Sequence, residues 1–186
     1  MIATRELNLV ELVTPTGESS GSATVAEAHT APGQLHRAFS VLLIDQLGRI
    51  LLQQRAATKT RFPLRWANSC CGHPSPGEVV TAAATRRLAE ELGVSGVPLT
   101  EVGVYLYRAA DPATDRVEHE YDHVLIGHTT ADLSWETDPN EVADTRWAHT
   151  DDLLAELRQG PVDQYAPWLL GVLEVGLAGA PPERGP

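Results

Sequence analysis

The hydrophobic pattern switches between strand-like and helix-like spacing along the chain. Residues 36–45 (HRAFSVLLID) and 50–55 (ILLQQR) are β-type apolar runs around an LGR turn, which predicts a hairpin. VGVYLYRA (102–109) and HEYDHVLIGHT (119–129) read as strands joined by a polar turn, and VADTRWAH (142–149) as another. Three segments read as helices instead. Residues 78–92 form one, with Gly93 as its C-terminal stop. TDDLLAELRQ (150–159) forms a second opened by Thr150 as N-cap, and PWLLGVLEVGLAG (167–179) a third with Pro167 in its first turn.

The remaining segments are less regular. ELNLVELVTPTGE (6–18) predicts a strand pair around Pro15 to Gly17, SSGSAT (19–24) a flexible linker, and AATKTRFPLR (56–65) a basic loop. Strands and helices interleave too irregularly for a doubly wound parallel sheet. The expected fold is a single α/β (α+β) domain, a mixed β-sheet sandwiched by helices. Residues 1–34 are expected to pack on the core as a strand pair, residues 35–176 to form the domain itself, and residues 177–186 a disordered C-terminal tail.

Composition narrows the function. The 186 residues suffice for one well-buried core, and 42% hydrophobic with 21% charged residues is ordinary for a globular chain. Fourteen basic against 25 acidic residues leave a formal charge of −11, which argues against a nucleic-acid or anionic-membrane surface. An anionic substrate must then be met by a local cluster of cations or metals. No N-terminal stretch reads as a signal peptide, and no apolar run approaches a membrane span. Cys70 and Cys71 are adjacent, so on an extended segment their side chains diverge. That argues against a disulfide and for a reducing, cytoplasmic location.

Residues 68–94 carry the densest chemistry. Gly72, Glu78, Arg86, Leu88, Glu90, Glu91, Gly93 and Val94 follow the Nudix spacing G-x5-E-x7-R-E-U-x-E-E-x-G-U, but Arg87 stands where the hydrolases carry a glutamate. Glutamates in such a box gather Mg²⁺, which bridges carboxylate to substrate phosphate and activates water. An arginine there removes one metal ligand and supplies a fork that grips phosphate bidentately. The predicted result is a site that binds a diphosphate without cutting it. Arg87 and Glu91, four apart, share one helical face.

A second constellation lies outside the box. His29, His36, His73, Glu118 and Glu120 are three imidazoles and two carboxylates, a ligand set for Mn²⁺, Mg²⁺ or Zn²⁺ if the fold brings them together. Glu118 and Glu120 are two apart on a predicted strand, so they point the same way. Taken singly, each is as readily a loop histidine or a solvated strand face. Cys71 is open to two readings, a space-filling thiol or a group in the cleft, with Cys70 the better candidate for the buried neighbour.

The chain resembles the type 1 isopentenyl-diphosphate isomerases, a Nudix-fold family. The matching segments are AHT (28–30), LHRAFS (35–40), QQRAATK (53–59), WANSCCGHP (66–74), the altered box, YRAADP (107–112), VEHE (117–120) and APW (166–168). The resemblance spans about residue 5 to about residue 175. It implies a cytoplasmic enzyme, monomer or weak dimer, that interconverts isopentenyl and dimethylallyl diphosphates. It implies one divalent ion on His29, His36, His73, Glu118 and Glu120, and a substrate-bound Mg²⁺ on Glu91. Arg55, Lys59 and Arg87 would contact the diphosphate. Cys71 and Glu120 would be the acid–base pair, with Tyr107 and Trp168 lining the pocket. The family often has a lysine just before AHT; here that position is Val25. The alternative is a Nudix hydrolase of a nucleoside or other diphosphate.

Overall fold

The structure is a computed structural model and describes residues 5–130, 132–160 and 163–179. Thirteen elements follow in chain order. Strands β1 (Leu9–Val13) and β2 (Ser19–Thr24) lead into a one-turn helix α1 (Val25–Ala28). Strands β3 (His36–Asp45), β4 (Arg49–Arg55), β5 (Trp66–Ala67) and β6 (Cys70–Gly72) precede α2 (Val80–Leu92). Strands β7 (Leu99–Ala110), β8 (Val117–Thr129) and β9 (Val142–His149) then run into α3 (Thr150–Arg158) and α4 (Leu169–Gly179).

The nine strands form one mixed sheet. At its centre β3 pairs in parallel with β8 along their whole length, from His36 opposite Glu120 to Asp45 opposite Thr129. The other ladders are antiparallel: β3 with β6, β7 with β8, and β4 with β9. The expected β3–β4 hairpin forms, but its ladder is short, with Ile44 opposite Ile50, and β4 spends most of its length on β9. Both faces of β3 are covered, which is why HRAFSVLLID lacks the alternation of a one-sided strand. One core holds Leu42, Ile50, Leu52 and Val124 against α3 and α4; the other holds Phe39, Val41, Leu43 and Leu125 against α2. The mixed sheet sandwiched by helices is as expected.

Local chemistry explains the boundaries. Helix α2 ends where Gly93 turns left-handed at φ 65°, its N–H bonded to Ala89 O at 3.0 Å. A β-carbon at Gly93 would also sit 3.1 Å from the Glu136 carbonyl oxygen. Helix α4 is apolar nearly all round because it is clamped onto the sheet; added β-carbons at Gly171 and Gly176 would lie 2.1 Å from Tyr105 and 2.3 Å from Leu42.

Four expectations need correction. SSGSAT is strand β2, paired antiparallel with β1 from Leu9 opposite Thr24, so tertiary pairing overrides its weak strand composition. Thr150 is the first helical residue of α3 rather than its cap; its hydroxyl donates to Gly48 O at 2.7 Å. Pro167 stands just before α4, which opens at Leu169. Helix α4 also includes Leu177 to Gly179, at the start of the expected tail, and residues 180–186 lie outside the described residues.

Candidate active site

The five metal-type residues of the sequence converge. Potential ligand atoms of His29, His36, His73, Glu118 and Glu120 all lie within 4.8 Å of one another. The imidazole centroids are 4.6, 5.1 and 4.9 Å apart. Each comes from a different piece of backbone: His29 follows α1, His36 opens β3, His73 follows β6, and the carboxylates sit two apart on β8. The β3–β8 register sets His36 directly opposite Glu120.

The hydrogen bonds around this cluster fix ring orientation. His29 Nδ1 meets Val25 O at 2.7 Å and His36 Nδ1 meets Gln34 O at 2.8 Å, so in each ring Nδ1–H donates and Nε2 keeps its lone pair. Both buried Nε2 atoms, and Glu118 Oε2, lack a well-aligned hydrogen-bond partner, although His29 Nε2 and Glu118 Oε2 are only 2.8 Å apart. Unpaired lone pairs aimed at one buried point, together with two carboxylates, suit a divalent cation. Arg61 Nε donates to the other Glu118 oxygen at 3.1 Å.

Charge is arranged to match. Burial alone would raise the Glu118 carboxyl, but His29 and Arg61 outweigh it and hold it well below the usual range. Burial and the Glu118 charge also oppose ionisation of Glu120, yet contacts with His36 and His73 bring it to about 2. His73 is pushed down to about 4 by burial and the neighbouring imidazoles, so it is neutral at physiological pH. His36 moves the other way: burial opposes its charge, but Glu120 raises it.

Beside the cluster opens a cleft of about 670 Å³. Its lining includes Cys71, Tyr107, Glu120 and Trp168. Glu120 Oε1 faces His73 Nε2 at 3.0 Å, while Oε2 accepts from the Tyr107 hydroxyl at 2.7 Å. Cys71 Sγ and Trp168 Nε1 both donate to Asn68 Oδ1, each at 3.1 Å. Burial, then the charge of Asp122, pushes the Cys71 thiol up to about 12. Cys70 is fully buried among Phe39 and Ala83, as the sequence expected of the second cysteine.

The cleft also carries cations among its carboxylates. Arg55, Lys59 and Arg87 line it, as does Arg86. Arg87 reaches Glu90 at 2.6 Å and contacts Glu91 one turn further along the same face of α2. Lys59 Nζ is 2.5 Å from Glu141. Arg55 is more committed than its sequence suggested: it donates to Phe62 O and Arg61 O at 3.0 and 2.8 Å, and its guanidinium lies 5.3 Å from the Trp168 ring centroid. Those bonds pin a loop in which Phe62 and Leu64 take left-handed φ of 45° and 59°. Glu91, 2% exposed, sits behind Arg87 beside Gln53 and does not line the cleft among the described residues.

Several residues escaped sequence reading. Asn68 lay inside a recognised motif without a role. Asp122 extends the Glu118–Glu120 alternation inward; its carboxyl, buried and beside Glu120, is raised well above normal, and Ser40 donates to it at 2.7 Å. That alternation was the available signal. Arg5, Glu6, Arg61 and Glu141 had none, because their positions depend on how the N-terminal segment folds over the cleft.

The NUDIX domain family matches residues 34–169. A crystal structure from Deinococcus radiodurans, 19% identical, superposes with a TM-score of 0.72 over 91% of this chain and 99% of that one, a likeness of fold alone. The chain is therefore a Nudix protein, with an arginine in its box and a histidine–carboxylate cluster beside it. Isopentenyl-diphosphate Delta-isomerase of Nocardia farcinica is 63% identical over 166 residues, covering 89% of this chain and 93% of the relative. The enzyme of the same name from Streptomyces coelicolor is 46% identical over 171 residues, covering 92% and 84%. Within the Nudix class, the chain belongs to the isopentenyl-diphosphate Delta-isomerase family. Among the described residues no helix is long and apolar enough to cross a membrane.

Proposed function

We propose that this cleft interconverts isopentenyl diphosphate and dimethylallyl diphosphate. One arrangement carries the reading: Cys71 and Glu120 line the same cleft as the Tyr107 and Trp168 rings and a set of cations. The reaction adds a proton at C4, forming a tertiary cation at C3, and removes a proton from C2, forming the C2–C3 double bond. Cys71 and Glu120 are the donor and acceptor of those protons, one on each side of the hydrocarbon. Running the reaction backwards exchanges their roles.

The other residues serve that exchange. Tyr107 holds Glu120 by one oxygen, leaving the carboxylate fixed against the substrate. Trp168 faces the cation, where attraction to an aromatic ring is worth about 2 kcal/mol or more once water is excluded. A dry pocket also prevents hydration of the cation to an alcohol. His29, His36, His73, Glu118 and Glu120 would hold one divalent ion, Mn²⁺, Mg²⁺ or Zn²⁺. The chemistry such an ion supplies is electrostatic, a positive charge that shifts the acidity of Glu120 and the neighbouring phenol.

At the mouth, Lys59 and Arg87 grip the diphosphate, and Arg55 supports that end of the pocket. Glu91 would hold a Mg²⁺ on the diphosphate once the Arg87 guanidinium turns from Glu91 to phosphate. Incubating the protein with isopentenyl diphosphate and Mg²⁺ tests the reading: dimethylallyl diphosphate should appear, and Cys71→Ala and Glu120→Gln should abolish it. Release of phosphate without the isomer would instead establish the hydrolase alternative.

A further inference from the structure

We propose that Arg5 is a further diphosphate-binding residue, delivered to the mouth of the cleft by the N-terminal segment. This rests on the diphosphate reading of the cleft and adds a ligand to it. The observation is a convergence on one carboxylate. Glu141, 5% exposed, is met by Lys59 Nζ at 2.5 Å, Arg5 Nη1 at 2.7 Å and Arg87 Nη2 at 3.5 Å. Burial would raise its carboxyl, but the three cations together hold it low. Three cations within reach of one anionic group describe a cradle larger than that group. A diphosphate spreads its charge over two phosphoryl groups, which matches such a triangle better than one carboxylate does.

The placement of Arg5 is built rather than incidental. Its neighbour Glu6 accepts from Thr60 Oγ1 at 2.9 Å and from Arg61 Nη1 at 3.1 Å. The backbone is tied as well: Ala26 N donates to Glu6 O at 3.0 Å, and Val25 N to Asn8 O at 2.8 Å. Val25 lines the same cleft and brings no charge to it, so the segment that covers Val25 supplies the cation from above. Arg61 clasps both Glu6 and Glu118, which ties this strap to the histidine cluster. The Arg5 side chain is 39% exposed, and its second carboxylate, Glu90 at 3.6 Å, is equally exposed. The pair with Glu90 is open and weak, so the exposed guanidinium can give it up for phosphate oxygens while it stays beside Glu141.

Titration calorimetry with inorganic pyrophosphate and Mg²⁺ on the full chain tests this. Arg5→Gln should weaken binding about tenfold, the scale of one charge-assisted contact, and Arg5→Lys should recover part of it. The KM for isopentenyl diphosphate should rise by a similar factor while kcat falls less, the signature of a contact made equally in ground and transition states. Equal pyrophosphate affinity in Arg5→Gln and the parent overturns the assignment. So does an Arg5→Lys variant as weak as Arg5→Gln, because positive charge would then not be the agent. A parent protein that fails to bind pyrophosphate overturns the diphosphate reading along with it.

Discussion

Tyr107 donates its hydroxyl to Glu120 Oε2 at 2.7 Å, on the oxygen opposite the one that faces His73. The carboxylate is thus held at both ends, by the phenol on the cleft side and by the imidazole cluster on the other. Burial and the charge of Glu120 push the Tyr107 phenol well above its ordinary range, so it stays a donor throughout the physiological span. Tyr107→Phe removes only that donor. Turnover is expected to fall by about 10²-fold, the scale of a misdirected general acid or base, with little loss of fold. Steady-state kinetics alongside thermal melts check this; unaltered kcat would show that Glu120 needs no such anchor.

The metal-free protein should be most stable near neutrality. His73 is held at about 4 against an ordinary 6.5, and Glu120 at about 2 against 4.5. In both windows the unfolded chain binds more protons than the folded one. The share of stability contributed by His73 and Glu120 is therefore full above 6.5 and is lost as pH falls, first towards 4 and then from 4.5 towards 2. The raised Asp122 and His36 contribute with the opposite sign, losing stability as pH rises through their own windows. Cys71 acts on the alkaline side: its thiol is raised from 9.0 to about 12, so the folded chain keeps the proton longer and stability falls as pH climbs through that window. Urea unfolding of chelated protein should give a plateau between those limbs. A midpoint that climbs as pH drops below neutrality would contradict it.

Arg61 supports Glu118, one of the proposed metal ligands. Its donation to Glu118 Oε1 orients the carboxylate whose other oxygen lies beside His29. Arg61→Ala is expected to weaken divalent-ion binding by about 10–100-fold, the usual effect of removing such a supporting contact. Competition with a chromophoric chelator measures it, and an unchanged affinity would mean that Glu118 holds its position unaided.

Asn68 joins the thiol to the indole. Replacing it with alanine leaves Trp168 Nε1–H buried without its acceptor and frees Cys71, at a cost of about 1–3 kcal/mol. Combining Asn68→Ala with Trp168→Phe, which has no N–H to satisfy, should cost less than the sum of the two changes. Chemical denaturation of the four proteins in this cycle gives the coupling, and strict additivity would show that the bond contributes little.

Much of this was legible in the chain, and the reason is periodicity. Glu118 and Glu120 announce a shared face because strands alternate, and Arg87 announces itself because a box of fixed spacing makes one reversed charge visible. Three histidines separated by loops carry no such period. Their spacing left His29, His36 and His73 an open grouping that only the resemblance made specific, and the β3–β8 register then set His36 opposite Glu120. Strand β2 was missed because SSGSAT owes its conformation to β1 rather than to its own residues. Arg61 and Glu141 were invisible for a similar reason: a long-range ion pair has no local trace.

The parallel pairing of β3 with β8 has a consequence for how the protein is made. Parallel partners need a long crossover, and here β4 to β7, with helix α2, lie between them. A nascent chain that has emerged only as far as β7 owns every histidine of the cluster and neither of its carboxylates. Tight binding of the proposed divalent ion would then await docking of β8 into the middle of the sheet. An ion held there would certify that the chain has been made through β8 and that the central strand pair has docked.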